Sequence, residues 1–296
     1  MSTLKEFTDR VVERINDKMK ESDIYASLQI VPKNNGMEKV GIAIHKKGCN
    51  VAAVVHTEGF LLAYEGGVPI DEIAEKVLCI SQESKQENIN LSQITDYENV
   101  KSRLALKLIN RKENRKLLND MPHINVCDDL ACICYIVLEQ PENGKIMVHN
   151  GLFEKWNVPV MDMMHTAMEN TKRMYPAKVM DFEKVVKKSG MFSEADQLGG
   201  SMYIITHGGE IYGAVAALYN GLLDRLAEEI GSDLILIPSS VHEFLMMPKK
   251  MCHIGVEELN QMIREVNAEQ LEPDEVLSDH AYLYCKETKE IYSLTA

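Results

Sequence analysis

Asp233-Leu-Ile-Leu-Ile-Pro-Ser-Ser-Val-His-Glu-Phe-Leu-Met-Met-Pro248 is the stretch from which the fold is read. Residues 233–237 form an apolar run shortly after a glycine, which reads as a buried strand. Pro238 has no N–H to give a ladder and is expected to stop that strand. Four side chains able to do chemistry follow at once: Ser239, Ser240, His242 and Glu243. A second apolar run, Phe244 to Met247, ends at Pro248. A polar cluster at the end of a buried strand is where an α/β or α+β protein places a site.

Working outward, the N-terminal half offers a helix over 4–20, with Leu4, Phe7, Val11, Ile15 and Met19 at helical spacing behind a Thr3–Glu6 capping box. Strands are expected over 28–31, 40–44 and 51–55, the first two joined by Pro32-Lys-Asn-Asn-Gly36, whose Asn-Gly favours positive φ. Pro69 opens a helix to about Ile80, residues 81–95 read as an exposed loop, and Val100, Leu104 and Leu108 predict a helix over 96–109. A short helical turn is expected within 110–120.

Further on, strands are expected over 124–126, 131–138 and 145–148, with turns at Asp128-Asp129 and Pro141–Gly144. Pro159 starts a helix to Tyr175 with a core-facing stripe of Val160, Met163, Met164, Ala167, Met168 and Thr171. Segments 201–206 and 210–212 frame His207-Gly-Gly209 as a hairpin. A long helix is expected over 214–230, stopped by Gly231, then a helix over 255–267 and a strand over 282–285. The class is α+β: mixed, antiparallel-leaning sheets packed by amphipathic helices.

Composition bounds the function. The 296 residues are 45% apolar and 26% charged, enough for a core, and the net charge is −13. That acidic balance argues against nucleic acid and anionic membrane surfaces as partners. The start, Met-Ser-Thr-Leu-Lys-Glu-Phe, lacks a secretory core, and the least polar region, 51–64, is interrupted by His56 and Glu58. It is also shorter than the roughly 20 residues of a membrane helix. Seven cysteines without C-x-x-C spacing read as reduced thiols, so the expected location is the cytoplasm.

Val55-His56, Gly59-Phe60, Tyr64 and Val68-Pro-Ile70 recur in order as Val148-His149, Gly151-Leu152, Trp156 and Val158-Pro-Val160, and Asp96-Tyr-Glu echoes in Asp181-Phe-Glu. This suggests two related α+β lobes, residues 1–121 and 122–296, meeting near Met121-Pro122.

Several phrases are shared with one family. They are Pro32-Lys-Asn-Asn-Gly36, Lys107-Leu-Ile-Asn110 with Asn114 and Leu117-Leu118, Gly151-Leu-Phe-Glu-Lys-Trp156, Asn170-Thr171, and Met202-Tyr-Ile-Ile-Thr206 through Gly213-Ala214. Ile237-Pro-Ser-Ser-Val-His-Glu243 and Val266-Asn267 through Val276-Leu-Ser-Asp-His-Ala-Tyr282 complete the set. Together they resemble a family catalogued as domain of unknown function 5688 across nearly the whole chain. The resemblance implies a whole-length unit of gut anaerobic bacteria without an assigned reaction. The chain departs from it at Ala53-Val-Val-His-Thr57, where a Pro-Thr-Ile-Tyr-like phrase is expected.

The sharpest chemical reading joins Ser239, Ser240, His242 and Glu243 with Ser278, Asp279 and His280, which precede a later strand. If the strands are neighbours, His242, Glu243, Asp279 and His280 form a divalent-metal set, or the serines gain a base and an orienting acid. Against it, Ser240-Val-His-Glu243 is itself a capping box, and Ser278 and Asp279 suit a turn. H-E-x-x-H and G-x-S-x-G are both missing. The methionines of the Pro159 helix, with Met246, Met247 and Met251, suit either a partner groove or plain core. No cofactor motif is present. The expectation is a non-enzymatic accessory or protein-interaction module, with a hydrolase or metal-dependent enzyme as the alternative.

Overall fold

The computed structural model describes residues 2–83, 88, 90–138, 144–189, 202–209 and 211–295. Backbone contacts divide the chain into two compact units, one of Met1–Lys33 with Met37–Ser92 and the other of Asn34–Gly36 with Gln93–Ala296. The division falls after Ser92 and not at Met121-Pro122. A cut at 121 would separate Leu104–Asn110 from Leu130–Val137, strands of one sheet that pair along their length.

The first unit runs α1 (Ser2–Lys18), β1 (Ile24–Pro32), β2 (Glu38–Lys46), β3 (Ala53–His56), α2 (Glu58–Glu65) and α3 (Ile70–Glu83). The strands form an antiparallel sheet in the order β1-β2-β3. Phe7, Val11 and Ile15 of α1 meet Ile73, Ala74 and Val77 of α3 and Ile42, Ile44 and Val55 of the sheet in one core. The helix already begins at Ser2, so Thr3 lies inside it rather than capping it. Between β1 and β2 the Asn-Gly signal is borne out, with Asn35 at φ 58° and Gly36 at φ 67°.

α4 (Leu91–Thr95) spans the division. The second unit continues with α5 (Tyr97–Val100), β4 (Leu104–Asn110), α6 (Arg115–Leu118), β5 (His123–Asn125), β6 (Leu130–Val137), β7 (Lys145–Met147), α7 (Asn150–Trp156), α8 (Val160–Met174), β8 (Ala177–Asp181) and α9 (Phe182–Ser189). It ends with β9 (Tyr203–His207), a 3₁₀ segment Gly213–Leu218, α10 (Leu222–Ile230), β10 (Leu234–Ser240), β11 (Glu243–Pro248), α11 (Val256–Gln270), β12 (Tyr282–Cys285) and β13 (Glu290–Ser293). One sheet has β6 between β4 and the β5/β7 edge; the other runs β13-β12-β10-β11-β9-β8, and every pairing is antiparallel. Leu104, Leu106, Leu108, Cys132 and Cys134 of the first sheet share a core with Ile205, Leu236, Phe244 and Met246 of the second. α8, α10 and the 3₁₀ segment complete that core.

Further expectations are overturned, among them the exposed loop over 81–95, whose two ends belong to α3 and α4. The helix over 96–109 is a single turn of α5, a 3₁₀ turn and then β4, buried at all seven positions. A spacing of four fits one face of a strand as well as of a helix, and burial on both faces decides for the strand. The helix over 214–230 breaks at Tyr219, which is extended, and at Gly221, with φ 77°. Residues 211–212 are not a strand, and β9 pairs with β8 and β11 instead. Pro238 does not end β10: it pairs with Phe244, while pairing to β12 stops at Leu236, so its missing N–H breaks no ladder on that side. Most of Pro141–Gly144, along with Ser201 and Glu210, lies outside the described residues.

The repeated phrases sit on or beside matching elements: Val55-His56 ends β3 and Val148-His149 directly follows β7, and each leads to a short helix (α2, α7) and a proline-led helix (α3, α8). Buried positions fall four, five, eight and twelve residues after the proline in both, at Ile73, Ala74, Val77, Ser81 and at Met163, Met164, Ala167, Thr171.

Candidate functional site

The β10–β11 hairpin turns at Val241-His242, with a bulge between Pro238 and Ser240. Ser240 Oγ accepts the His242 N–H at 3.0 Å, and Ser239 Oγ donates to Glu243 Oε1 at 3.3 Å. The expected capping box is therefore a serine-stabilised β-turn, and Glu243 reaches Ser239 instead of closing back on Ser240. The tip is held on several sides. Thr206 Oγ1 donates to the His242 carbonyl, the Val241 N–H to the Glu275 carbonyl, and the Tyr212 N–H to His242 Nδ1. With Nδ1 accepting, the proton of a neutral His242 sits on Nε2, 3.5 Å from Glu275 Oε1. His242 is thus aimed at a carboxylate, and neither Ser239 nor Ser240 bonds its ring.

Tyr212 carries φ 65°, a left-handed conformation that is uncommon for a bulky side chain. Its ring lies parallel to His242 at 6.1 Å, and Lys107 Nζ stands 4.4 Å from its centroid. The next residue must be glycine, because a Cβ on Gly213 would collide with Thr206 Oγ1 and the His242 carbonyl oxygen. Nearby, His207 is buried at the end of β9, accepts the Gly209 N–H on Nδ1 and stacks on Tyr175. Among the described residues its Nε2 has no hydrogen-bond partner. Burial pushes its pKa down to about 4, so the ring is neutral.

The second stretch is organised by a carboxylate from the β5–β6 turn. Asp129, 3% exposed, accepts Tyr282 Oη on Oδ1 at 2.8 Å and Ser278 Oγ on Oδ2 at 2.8 Å. His280 Nε2 lies 3.1 Å from Oδ2, and its Nδ1 donates to the Ala281 carbonyl at 3.0 Å. Both ring nitrogens face acceptors, which favours the imidazolium. Burial acts against charge on both groups. The hydrogen bonds from His280, Tyr282 and Ser278 outweigh it and hold the Asp129 carboxyl below its ordinary range. For His280 burial is outweighed by Asp129 and the Ala281 carbonyl, which raise its pKa. A serine, a histidine and a tyrosine therefore converge on one anion, with no serine–imidazole pair among them.

Residues 273–278 pass through this region outside any ladder, yet all six carbonyls accept a hydrogen bond. The donors are Asn35 for Pro273 and Val276, Asn34 for Asp274, Val241 for Glu275, Asn110 for Leu277 and Asn267 for Ser278. Asn267 also reaches Asp279 Oδ1 at 2.8 Å, and Asn260 Oδ1 accepts the Ala281 N–H. Five side-chain amides thus replace a neighbouring strand.

The two candidate stretches do meet, since β10 and β12 are paired neighbours and the Val241 N–H reaches Glu275. Their histidines are committed separately, His242 toward Glu275 and Tyr212, and His280 toward Asp129. Among the described residues no group of three or more His, Cys, Asp or Glu is arranged to hold a metal ion. The one serine–imidazole contact among them joins Ser27 Oγ to His45 Nε2 at 2.9 Å in the three-stranded sheet. Cys132 and Cys134 are fully buried, with burial raising the Cys132 pKa to about 12 and Cys134 further still. Met163, Met164, Met246 and Met247 are core, which removes them from any partner groove. Asp129, Glu275, Tyr212 and Lys107 carry the region and are not singled out as site residues by the sequence reading; a signal exists only in the shared phrases, which hold Lys107 and the asparagines other than Asn260.

The profile of one family, described as a family of unknown function (DUF5688), matches residues 4–286, and the chain belongs to that family. No curated protein and no solved structure matches the chain. No helix among the described residues is long and apolar enough to cross a membrane.

Proposed function

We propose that the chain is a non-enzymatic accessory or interaction protein of the bacterial cytoplasm. The observation that carries this reading is the convergence of Ser278, His280 and Tyr282 on the single Asp129 carboxylate. A serine-dependent hydrolytic site needs its nucleophile bonded to a base. Here the candidate serines bond carboxylates or a backbone N–H, and both imidazoles face carboxylates. These side chains serve to hold the 273–281 segment and the hairpin tip.

The test has two arms. Purified protein is assayed against model esters, phosphoesters, peptides and glycosides, alongside His242→Ala, His280→Ala and His45→Ala variants of verified fold. The expected result is no turnover that distinguishes the parent from the variants. Turnover lost on changing any of these histidines overturns the proposal. In parallel, tagged protein recovered from its native organism is expected in a complex of constant stoichiometry, and recovery alone would count against it.

A further inference from the structure

Beyond that reading, the turn from β4 into α6 carries an unusual concentration of positive charge. Arg111-Lys-Glu-Asn-Arg-Lys116 holds four cations and one carboxylate in a chain of net charge −13. Arg111, Lys112 and Arg115 line a hollow of about 220 Å³. None of the three forms an ion pair among the described residues, although Glu113 and Asp128 are close in the fold. Like charges held together without a counter-ion repel one another, and an anion between them removes that repulsion.

The turn is built rather than loose. Asn110 Oδ1 accepts the N–H groups of Lys112 and Glu113 at 2.9 and 3.0 Å, while its amide donates to Leu277. Asn114, 1% exposed, bonds the Asn110 carbonyl at 2.7 Å. The Arg111 N–H donates to the Asp129 carbonyl, and its guanidinium to the Asp128 carbonyl. The backbone under the cations is thereby fixed to the same turn that bears the buried Asp129 carboxylate.

We infer that the hollow lined by Arg111, Lys112 and Arg115 is a phosphate-binding site. The Arg115 guanidinium fork suits the oxygens of a tetrahedral dianion, the Lys112 ammonium adds a point charge, and Arg111 contributes charge while its guanidinium also bonds the Asp128 carbonyl. The hollow has room for a phosphate group together with water, the phosphate supplied as the free ion or by a nucleotide, whose base would project outward.

Calorimetric titration of the full chain with inorganic phosphate, and separately with adenosine monophosphate, tests this against chloride at matched ionic strength. Saturable binding is expected, weakened at least about tenfold in Arg111→Gln/Arg115→Gln. Because Arg111 also bonds Asp128, Lys112→Gln/Arg115→Gln provides a second variant with that bond intact, and it is expected to lose affinity likewise. Comparable affinities would assign the free ion, and a nucleotide bound about tenfold tighter would assign the nucleotide phosphate. No saturable binding of either probe, an equal response to chloride, or unchanged affinity in both variants overturns the inference.

Discussion

Asp129 concentrates more consequence than any other single residue of the second unit. Its two oxygens receive a tyrosine hydroxyl, a serine hydroxyl and a histidine ring at 2.8–3.1 Å while the residue is 3% exposed. Removing it leaves the buried Tyr282 hydroxyl and the half-buried His280 ring without their anion, and breaking a buried pair on one side costs about 3–5 kcal/mol. Asp129→Ala is therefore expected to lower unfolding free energy by about that amount in urea titrations. Asp129→Asn, which keeps an acceptor, should cost less. Equal stability of Asp129→Ala and the parent would show that the convergence contributes nothing. Gly213 makes a second test at this scale. Its Cβ has no room beside Thr206 and the His242 carbonyl, so Gly213→Ala must displace the hairpin tip. A loss of about 1–3 kcal/mol is expected from such overpacking. It should be accompanied by shifted NMR signals for Thr206 and His242, and unshifted signals would contradict the close approach.

At the scale of elements, segment 273–281 behaves as a strand most of whose partners are side chains. Asn110 is the most exposed to test, because its amide holds Leu277 while its carbonyl oxygen holds the turn at Lys112-Glu113. Asn110→Asp keeps the second contact and turns the first into oxygen facing oxygen. It is expected to accelerate amide exchange across 273–281 while leaving β4 protected, a local opening and not a global one. Uniform exchange changes through the unit would refute an independent segment. Much of this architecture is open to sequence reasoning. The β1–β2 turn is legible in Asn35-Gly36, α3 and α8 in their prolines, and β10, β11 and β12 in apolar runs. The failures share a cause. Leu104-Ala-Leu-Lys-Leu-Ile109 is apolar enough for helix or strand, and only burial on both faces chooses. Residues 213–217 of the 3₁₀ segment are buried between two sheets, where tertiary contacts override helix propensity. The polar content of the site is visible in Ser278 and His280. Its centre is not, because Asp129 lies 149 residues from Ser278 and sits in what reads as an ordinary acidic turn.

For the whole molecule, the consequence that gathers these groups is the dependence of stability on pH. His207 is neutral in the folded chain with its pKa pushed to about 4, against an ordinary 6.5 when unfolded. Between those values the unfolded chain binds the extra proton, so stability from this residue is complete above 6.5 and lost as pH falls toward 4. The ceiling on that loss is about 3 kcal/mol. His280 acts in the opposite sense. Its folded pKa is raised, so its contribution is complete below 6.5 and lost as pH climbs through the folded value. Asp129, with a lowered pKa, contributes fully above 3.8 and loses that contribution only in stronger acid. Stability measured by denaturant titration across pH 3–9 should therefore decline on both sides of a maximum near the ordinary histidine range. His207→Asn preserves an acceptor for the Gly209 N–H and has no ring to protonate, so it should flatten the limb between 6.5 and 4. His280→Gln should flatten the alkaline limb and leave the first one standing. A His207→Asn curve as steep as the parent's in the 4–6.5 window would mean that the acid sensitivity comes from the other titrating groups of this acidic chain. His207 would then lose its place as the residue that couples protonation to the packing of β9.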